Sequence, residues 1–421
     1  MLKQIILILS ILSITLAKEE IINNIVVFGD SYSDVGNNQR LTNGPVWSEH
    51  LAVGWNASLY SFAFSGAVCN NDMYSNQEQQ KEEFIPSITD QVEMFYNQKN
   101  LKDLDMEETA IIFWIGVNDV YKIFEKNNND NMEDTVRDYQ KVVECIGRNI
   151  RNIRRIFSSN KFIVFGVPPL ERMPFYANTE LASSRETAAN QLNDQLTKEV
   201  EKMNKHLQSL ELDLVDIHKM LDDIVDHPAM FEIINAKEPY WDACQGQCTD
   251  EIDSYVWWDK THLTGGVHRL IANSILMAGS LAPETYLSDT VNVNQLLREP
   301  HSPFKSPIYK PKRNTGEIDK IIKKLNDEKE QEQSKQEQQH KDDLLDNNRP
   351  QKSNTTIPST TNHFIYFGIS ATVIVSIAFL LFIKTKRRTR NHLAALSGLL
   401  KSNTADRGRF MPLRNMDSET V

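Results

Sequence analysis

Short apolar runs punctuate the first three hundred residues, and stretches with apolar positions every third or fourth residue separate them. The runs "NIVVFGD" (24–30), "LYSFAFSG" (59–66), "AIIFWIG" (110–116), "KFIVFGVP" (161–168) and "LDLVDI" (212–217) are rich in β-branched and aromatic residues. They are apolar on both faces rather than alternating, as strands buried inside a parallel sheet are. In 132–158, Val136, Tyr139, Val143, Ile146, Ile150, Ile153 and Phe157 recur at helical spacing. Segment 184–210 repeats that pattern, and "GGVHRLIANSILMAGSLA" (265–282) predicts a closing helix. Strand and helix in alternation imply a doubly wound α/β layer with right-handed crossovers. Reactive groups of such folds gather beyond the carboxyl ends of the strands.

After Arg298 the pattern fades. "EPHSPFKSPIYKPKRNTG" reads as a Pro- and Lys-rich linker, and 317–348 is almost wholly polar. "KSNTTIPSTTN" has the bias of an O-glycosylated stem. The expected organisation is a signal peptide (1–17), a folded domain (18–298), a disordered polar stalk (299–363), a transmembrane helix (364–383) and a basic cytoplasmic tail (384–421).

Both ends carry the addresses behind that division. "MLKQIILILSILSITLA" has an early lysine, an apolar run and a small residue at Ala17, the pattern of a cleaved secretory signal. "FIYFGISATVIVSIAFLLFI" (364–383) is uncharged over a bilayer's span and is followed by "KTKRRTR". Positive charge stays cytoplasmic, so the expected topology is single-pass type I, with the large domain outside. Residues 384–421 follow the apolar run, which favours a true span over a GPI signal.

Composition is globular, with 40% apolar and 24% charged residues and a net charge of −11. From Lys384 onward nine Lys or Arg face three Asp or Glu, so the body is more acidic than the total. An acidic body excludes nucleic acid as a partner. Cys69, Cys145, Cys244 and Cys248 fall in the outward domain, where one or two disulfides are expected and "CQGQC" is expected to close on itself. Zinc finds no second Cys/His pair at finger spacing. The sequons at Asn56 and Asn354 suit glycosylated surface positions.

The candidate chemistry sits where predicted strands end: "GDSYSD" with Ser31, "SGAVCNN" with Gly66, "IGVNDV" with Asn118, and "WWDKTHLT" with Asp259 and His262. A serine attacks an ester only if a base takes its proton. The imidazole that does so needs a carboxylate to fix its tautomer. Charge developing on the ester oxygen needs preorganised N–H donors. Ser31 taken alone reads as a helix cap.

Together these blocks resemble the GDSL esterase/lipase group of the SGNH hydrolases. "FGDSYSDVGN", "FAFSGA", "IGVND" and "DKTHLT" are similar to that family's four blocks, in its order, over about 22–282. "GPVWSEHLA", "IPSITDQVEMF" and "VPPLERMPFY" are similar to fungal carbohydrate acetylesterases. The resemblance implies a three-layer α/β/α, flavodoxin-like fold with a mostly parallel five-stranded sheet. It implies Ser31 as nucleophile and His262 as general base, oriented by Asp259. Ser31 and Gly66 N–H groups and the Asn118 amide would form the oxyanion hole. No metal or organic cofactor is called for. The family's Leu is Tyr32 here, which bears on pocket shape rather than on a catalytic group.

The expected function is a membrane-anchored serine esterase acting on short acyl groups, acetylated carbohydrate foremost. The alternatives are a lipase or phospholipase, and an inactive carbohydrate-binding surface glycoprotein. His268 reads as structural; His50, His206, His218 and His227 read as solvated or packed. Trp257 and Trp258 read as core or pocket wall. Asp30 and Asp34 could suggest a metal, but no further ligands follow at a recognisable spacing.

Overall fold

The computed structural model describes residues 21–74, 84–127, 132–245 and 247–346. Five strands, β1 (Asn24–Gly29), β2 (Ser58–Ser61), β3 (Thr109–Trp114), β4 (Lys161–Phe165) and β5 (Glu211–Val215), form one sheet in the order β2-β1-β3-β4-β5. Every pairing is parallel. The described helices are α1 (Trp47–Trp55), α2 (Ile88–Tyr96), α3 (Val117–Asn127), α4 (Met132–Phe157) and α5 (Ala182–His206). They continue with α6 (Ile217–Asp226), α7 (Tyr240–Cys244), α8 (Gly265–Met277), α9 (Val293–Arg298) and α10 (Glu317–Asp346).

Successive strand residues point to opposite faces, so aromatic partners reveal the layers. Phe28 and Phe113 are paired in register and lie on one face, where both rings meet neighbours and Phe28 meets Phe95 of α2 edge-on at 5.9 Å. One position on, Trp114 stacks on its register partner Phe165 at 4.6 Å, and Trp47 of α1 covers them both. Helices therefore cover both faces of a sheet whose central strands are buried throughout. The expected three-layer architecture with a parallel five-stranded sheet stands.

The run 59–66 divides. Its assigned strand ends at Ser61, although the N–H groups of Phe62 and Phe64 still reach the Val27 and Gly29 carbonyls. On the other side the Asn37 amide takes the Ser61 and Ala63 carbonyls, which ends pairing there.

The stalk assignment for 299–363 is corrected in two places. Residues 301–314 are packed along the outer edge of β2. The Pro303 carbonyl accepts from Leu59 N–H, Ser306 Oγ accepts from Ser61 N–H, and the Tyr309 ring stacks on Phe62 at 4.0 Å. Asn314 ends the strip with two hydrogen bonds to Asp90. Proline is tolerated there because an edge partner needs acceptors more than donors. Residues 317–346 are helical rather than disordered, and the Lys324–Glu328 pair at 3.7 Å lies one turn apart along that helix.

Chain contacts divide the protein into two units, one including residues up to Asn314 and one beginning at Thr315. Among the described residues no helix is long and apolar enough to cross a membrane. Segments 1–17, 364–383 and 384–421, and Asn354, lie outside the described residues. Asn56 is exposed at the end of α1, in the left-handed conformation.

Candidate active site

Ser31 sits on the turn that follows β1, and its neighbours explain the shape of that turn. A side chain on Gly29 would come within 2.7 Å of the Trp114 carbonyl across the sheet. The Gln91 amide, wholly buried, clasps Gly29 by accepting from its N–H and donating to its carbonyl, both at 2.9 Å. Asp34 accepts from five backbone N–H groups, those of Gly36, Asn37, Asn38, Gln39 and Ser65. Its carboxylate is thereby occupied as a loop clamp, which disposes of its metal reading. Asp30 is fully buried, and burial pushes its carboxyl up to about 8. A neutral carboxyl suits that site, since Oδ2 has no hydrogen-bond partner.

The other blocks converge on the same end of the sheet. Gly66 has φ +87°, a left-handed geometry that disfavours any side chain, and a Cβ there would lie 2.7 Å from Ile85. The Asn118 amide opens α3 and donates to the Ala67 carbonyl at 2.9 Å. That bond fixes the amide's orientation and leaves its second N–H for a ligand. Asp119, wholly buried, accepts from Cys69 N–H at 3.1 Å and Tyr74 O–H at 2.8 Å; burial raises its carboxyl to about 6. The Cys69–Cys145 disulfide ties this loop to α4, and Cys244–Cys248 closes the short loop as expected.

His262 arrives from a hairpin outside the sheet, whose antiparallel bridge joins Trp257 and Leu263. Thr264 then caps α8. The His262 Nε2 lies 3.0 Å from Ser31 Oγ, and Nδ1 lies 2.8 Å from Asp259 Oδ2. A carboxylate facing Nδ1 selects the tautomer protonated there and leaves Nε2 as acceptor for the serine hydroxyl. Burial alone would raise the Asp259 carboxyl, but the hydrogen bond and charge of His262 and the Thr261 and His262 N–H groups hold it below the usual value. It stays ionised across neutral pH. A cleft of about 260 Å³, lined by Arg40, Glu49, Arg298 and Lys305 among others, includes none of these three side chains.

Tyr32, which the sequence marks only as a departure bearing on pocket shape, has a positioning contact. Its hydroxyl donates to the Thr261 carbonyl at 2.6 Å, and its ring stacks on Trp114 at 5.0 Å and lies 5.8 Å from His262. The residue after Ser31 thus holds the hairpin that carries His262. The departure from leucine was the visible signal.

The remaining histidines separate. His268 and His50 are buried, and desolvation lowers both, His268 to about 3. His218 lies between Glu171 (3.6 Å) and Asp222 (3.4 Å). Burial opposes its charge, yet the two carboxylates raise its value, while Arg172 also pairs with Asp222. These three form the metal-ligand grouping found among the described residues, and with Arg172 they make a charge cluster joining α6 to the 170–172 turn.

A family model described as GDSL-like Lipase/Acylhydrolase matches residues 25–275. The chain belongs to this family of ester hydrolases. Thermolabile hemolysin of Vibrio parahaemolyticus is 22% identical over 287 residues, 61% of this chain and 63% of that protein. Acetylesterase of Hypocrea jecorina is 20% identical over 307 residues, 60% of this chain and 87% of that protein. The chain thus spans less than two thirds of the hemolysin's length. Among solved structures, an acetylxylan esterase from Geobacillus stearothermophilus is 13% identical, with 64% of this chain and 100% of that one covered and a TM-score of 0.37. At such values nothing about substrate passes to this chain.

Proposed function

We propose that the protein is a membrane-anchored, extracytoplasmic serine esterase that removes acetyl or other short acyl groups from carbohydrates. The observation that carries the reading is the line from Ser31 Oγ through His262 to Asp259. Ser31 Oγ attacks the ester carbonyl carbon as His262 Nε2 takes its proton. Asp259 stabilises the imidazolium that forms. The tetrahedral oxyanion is met by the Ser31 and Gly66 N–H groups and the Asn118 amide. His262 then returns the proton to the alcohol oxygen as the C–O bond breaks, leaving an acyl-serine. Water, deprotonated by the same imidazole, releases the acid and restores Ser31.

The fungal block similarity and the relative named acetylesterase support short-acyl carbohydrate esters. Two disulfides, the signal-like start and the apolar run 364–383 support an oxidising compartment and an outward-facing domain. A fluorophosphonate probe should label Ser31 in the wild-type chain and leave the Ser31→Ala variant unlabelled. An unlabelled wild type refutes the esterase reading. A panel of acetylated sugars beside long-chain esters separates it from lipid hydrolysis.

A further inference from the structure

Trp241 is 63% exposed, so its indole is open to a ligand. Its backbone is firmly placed. Tyr240 and Trp241 N–H groups donate to the Trp257 and Trp258 carbonyls at 2.8 and 3.3 Å. Trp258 directly precedes Asp259, and its own N–H donates to the His262 carbonyl at 2.8 Å. Lys260 pairs with Asp242 at 3.6 Å, a second link from the hairpin to α7. The far end of α7 is braced by Cys244–Cys248, both sulfurs lying within 3.7 Å of the Tyr255 hydroxyl. Trp241 is therefore mounted on the same piece of chain as the acid/base pair.

The proton's path decides which half of an ester that piece meets. His262 Nε2 must reach the alcohol oxygen, whereas the carbonyl oxygen turns to Gly66 and Asn118. The alcohol half accordingly lies on the hairpin side. There Trp241 meets Trp258 edge to face, with centroids 5.6 Å apart and planes at 62°. Tyr240 stacks on Trp258 at 6.1 Å and steadies it, so the open apolar surface is chiefly that of Trp241, and the Asp242–Lys260 pair beside it offers a polar rim. A pyranose has matching chemistry, with an apolar C–H face and a hydroxyl edge that stays in water.

We infer that Trp241 and Trp258 form a platform for a pyranose ring in the alcohol half of the ester, with Trp241 setting the preference for sugar over simple alcohols. The inference rests on the carbohydrate reading above. The test compares the full chain with its Trp241→Ala and Trp241→Phe variants on an acetylated methyl pyranoside and on ethyl acetate, whose alcohol has no ring. In Trp241→Ala, kcat/KM on the pyranoside should fall about five- to tenfold, chiefly through KM. Ethyl acetate turnover should stay within about twofold, which also reports an intact dyad. Trp241→Phe should recover most of the loss.

Equal loss on both substrates with no recovery in Trp241→Phe, or no loss on either, overturns the platform while leaving the esterase reading intact. A loss confined to long-chain esters above their micellar concentration overturns it in favour of a lipid-facing surface. Wild-type failure to prefer the pyranoside overturns the carbohydrate reading, and the platform with it.

Discussion

The Ser31 side and the His262 side of the candidate site are built on different principles. Ser31 and Gly66 stand on loops leaving the sheet and Asn118 on the first turn of α3, held by buried polar groups: Gln91 on Gly29, Asp34 on five N–H groups, Asp119 on Cys69 and Tyr74. Asp259 and His262 stand on a hairpin outside the sheet, held by its own backbone, by Tyr32 and by the neighbouring α7. The first side draws its precision from a core that cannot shift without leaving buried donors unpaired. The second draws it from a few contacts between the hairpin and its neighbours. Damage to the first should cost catalysis or folding heavily, and damage to the second should tune the rate.

Asn118→Ala tests the sheet side most sharply. Losing one oxyanion donor should lower kcat by about two to three orders of magnitude with KM nearly unchanged, as read by steady-state kinetics. An effect confined to KM would move Asn118 out of the oxyanion hole. Truncation probes the fold under that side. A chain ending at 298 loses the cover of β2 and should lose several kcal/mol, about ten degrees or more in Tm. A chain ending at 314 keeps the strip and should melt within about two degrees of the full chain. Equal melting of the two would remove the strip from the folded unit.

Asp30 gives a pH test of the same side. Its folded value, about 8, is raised above 3.8, so the native state binds more protons than the unfolded state between those values. Its ionisation therefore weakens the fold as pH rises through that window. Asp30→Asn cannot ionise, so its Tm relative to wild type should move in its favour from pH 5 to pH 8. The expected change is on the order of 1–3 kcal/mol. A difference independent of pH would show that Asp30 titrates normally. The smallest effect should come from the hairpin side: Tyr32→Phe deletes one hydrogen bond from the buried Tyr32 to the hairpin. It should lower kcat about five- to tenfold at constant KM, with roughly 1 kcal/mol lost in stability by denaturant melting. A variant indistinguishable from wild type in kcat would detach Tyr32 from the positioning of His262.

The same contrast explains what the sequence made legible. Strands β3 and β4 are buried on both faces, and all five are short β-branched and aromatic runs, so composition marks them. Helices α4, α5 and α8 were legible because their apolar stripes are regular. Helix α1 was not, since it buries Ser48, Glu49 and His50, which erase the stripe. Asp259 and His262 were legible because both lie within one short motif. Gln91 and Asp34 act on backbone groups brought close only by folding, so no local pattern announces them. The strip 301–314 was hidden by its prolines and lysines, since an edge cover needs neither periodicity nor an apolar core. In the fold, Ser31 Oγ, His262 and Asp259 lie in hydrogen-bond sequence, at 3.0 and 2.8 Å.

Cys69 serves two partners at once. Its N–H lies on Asp119, beside the Asn118 amide, and its sulfur is joined to Cys145, 76 positions away. A freshly synthesised chain with free thiols would own its nucleophile and base yet lack the tether on the loop that carries Gly66. Reduction of this one bond would remove the covalent tie between that loop and α4.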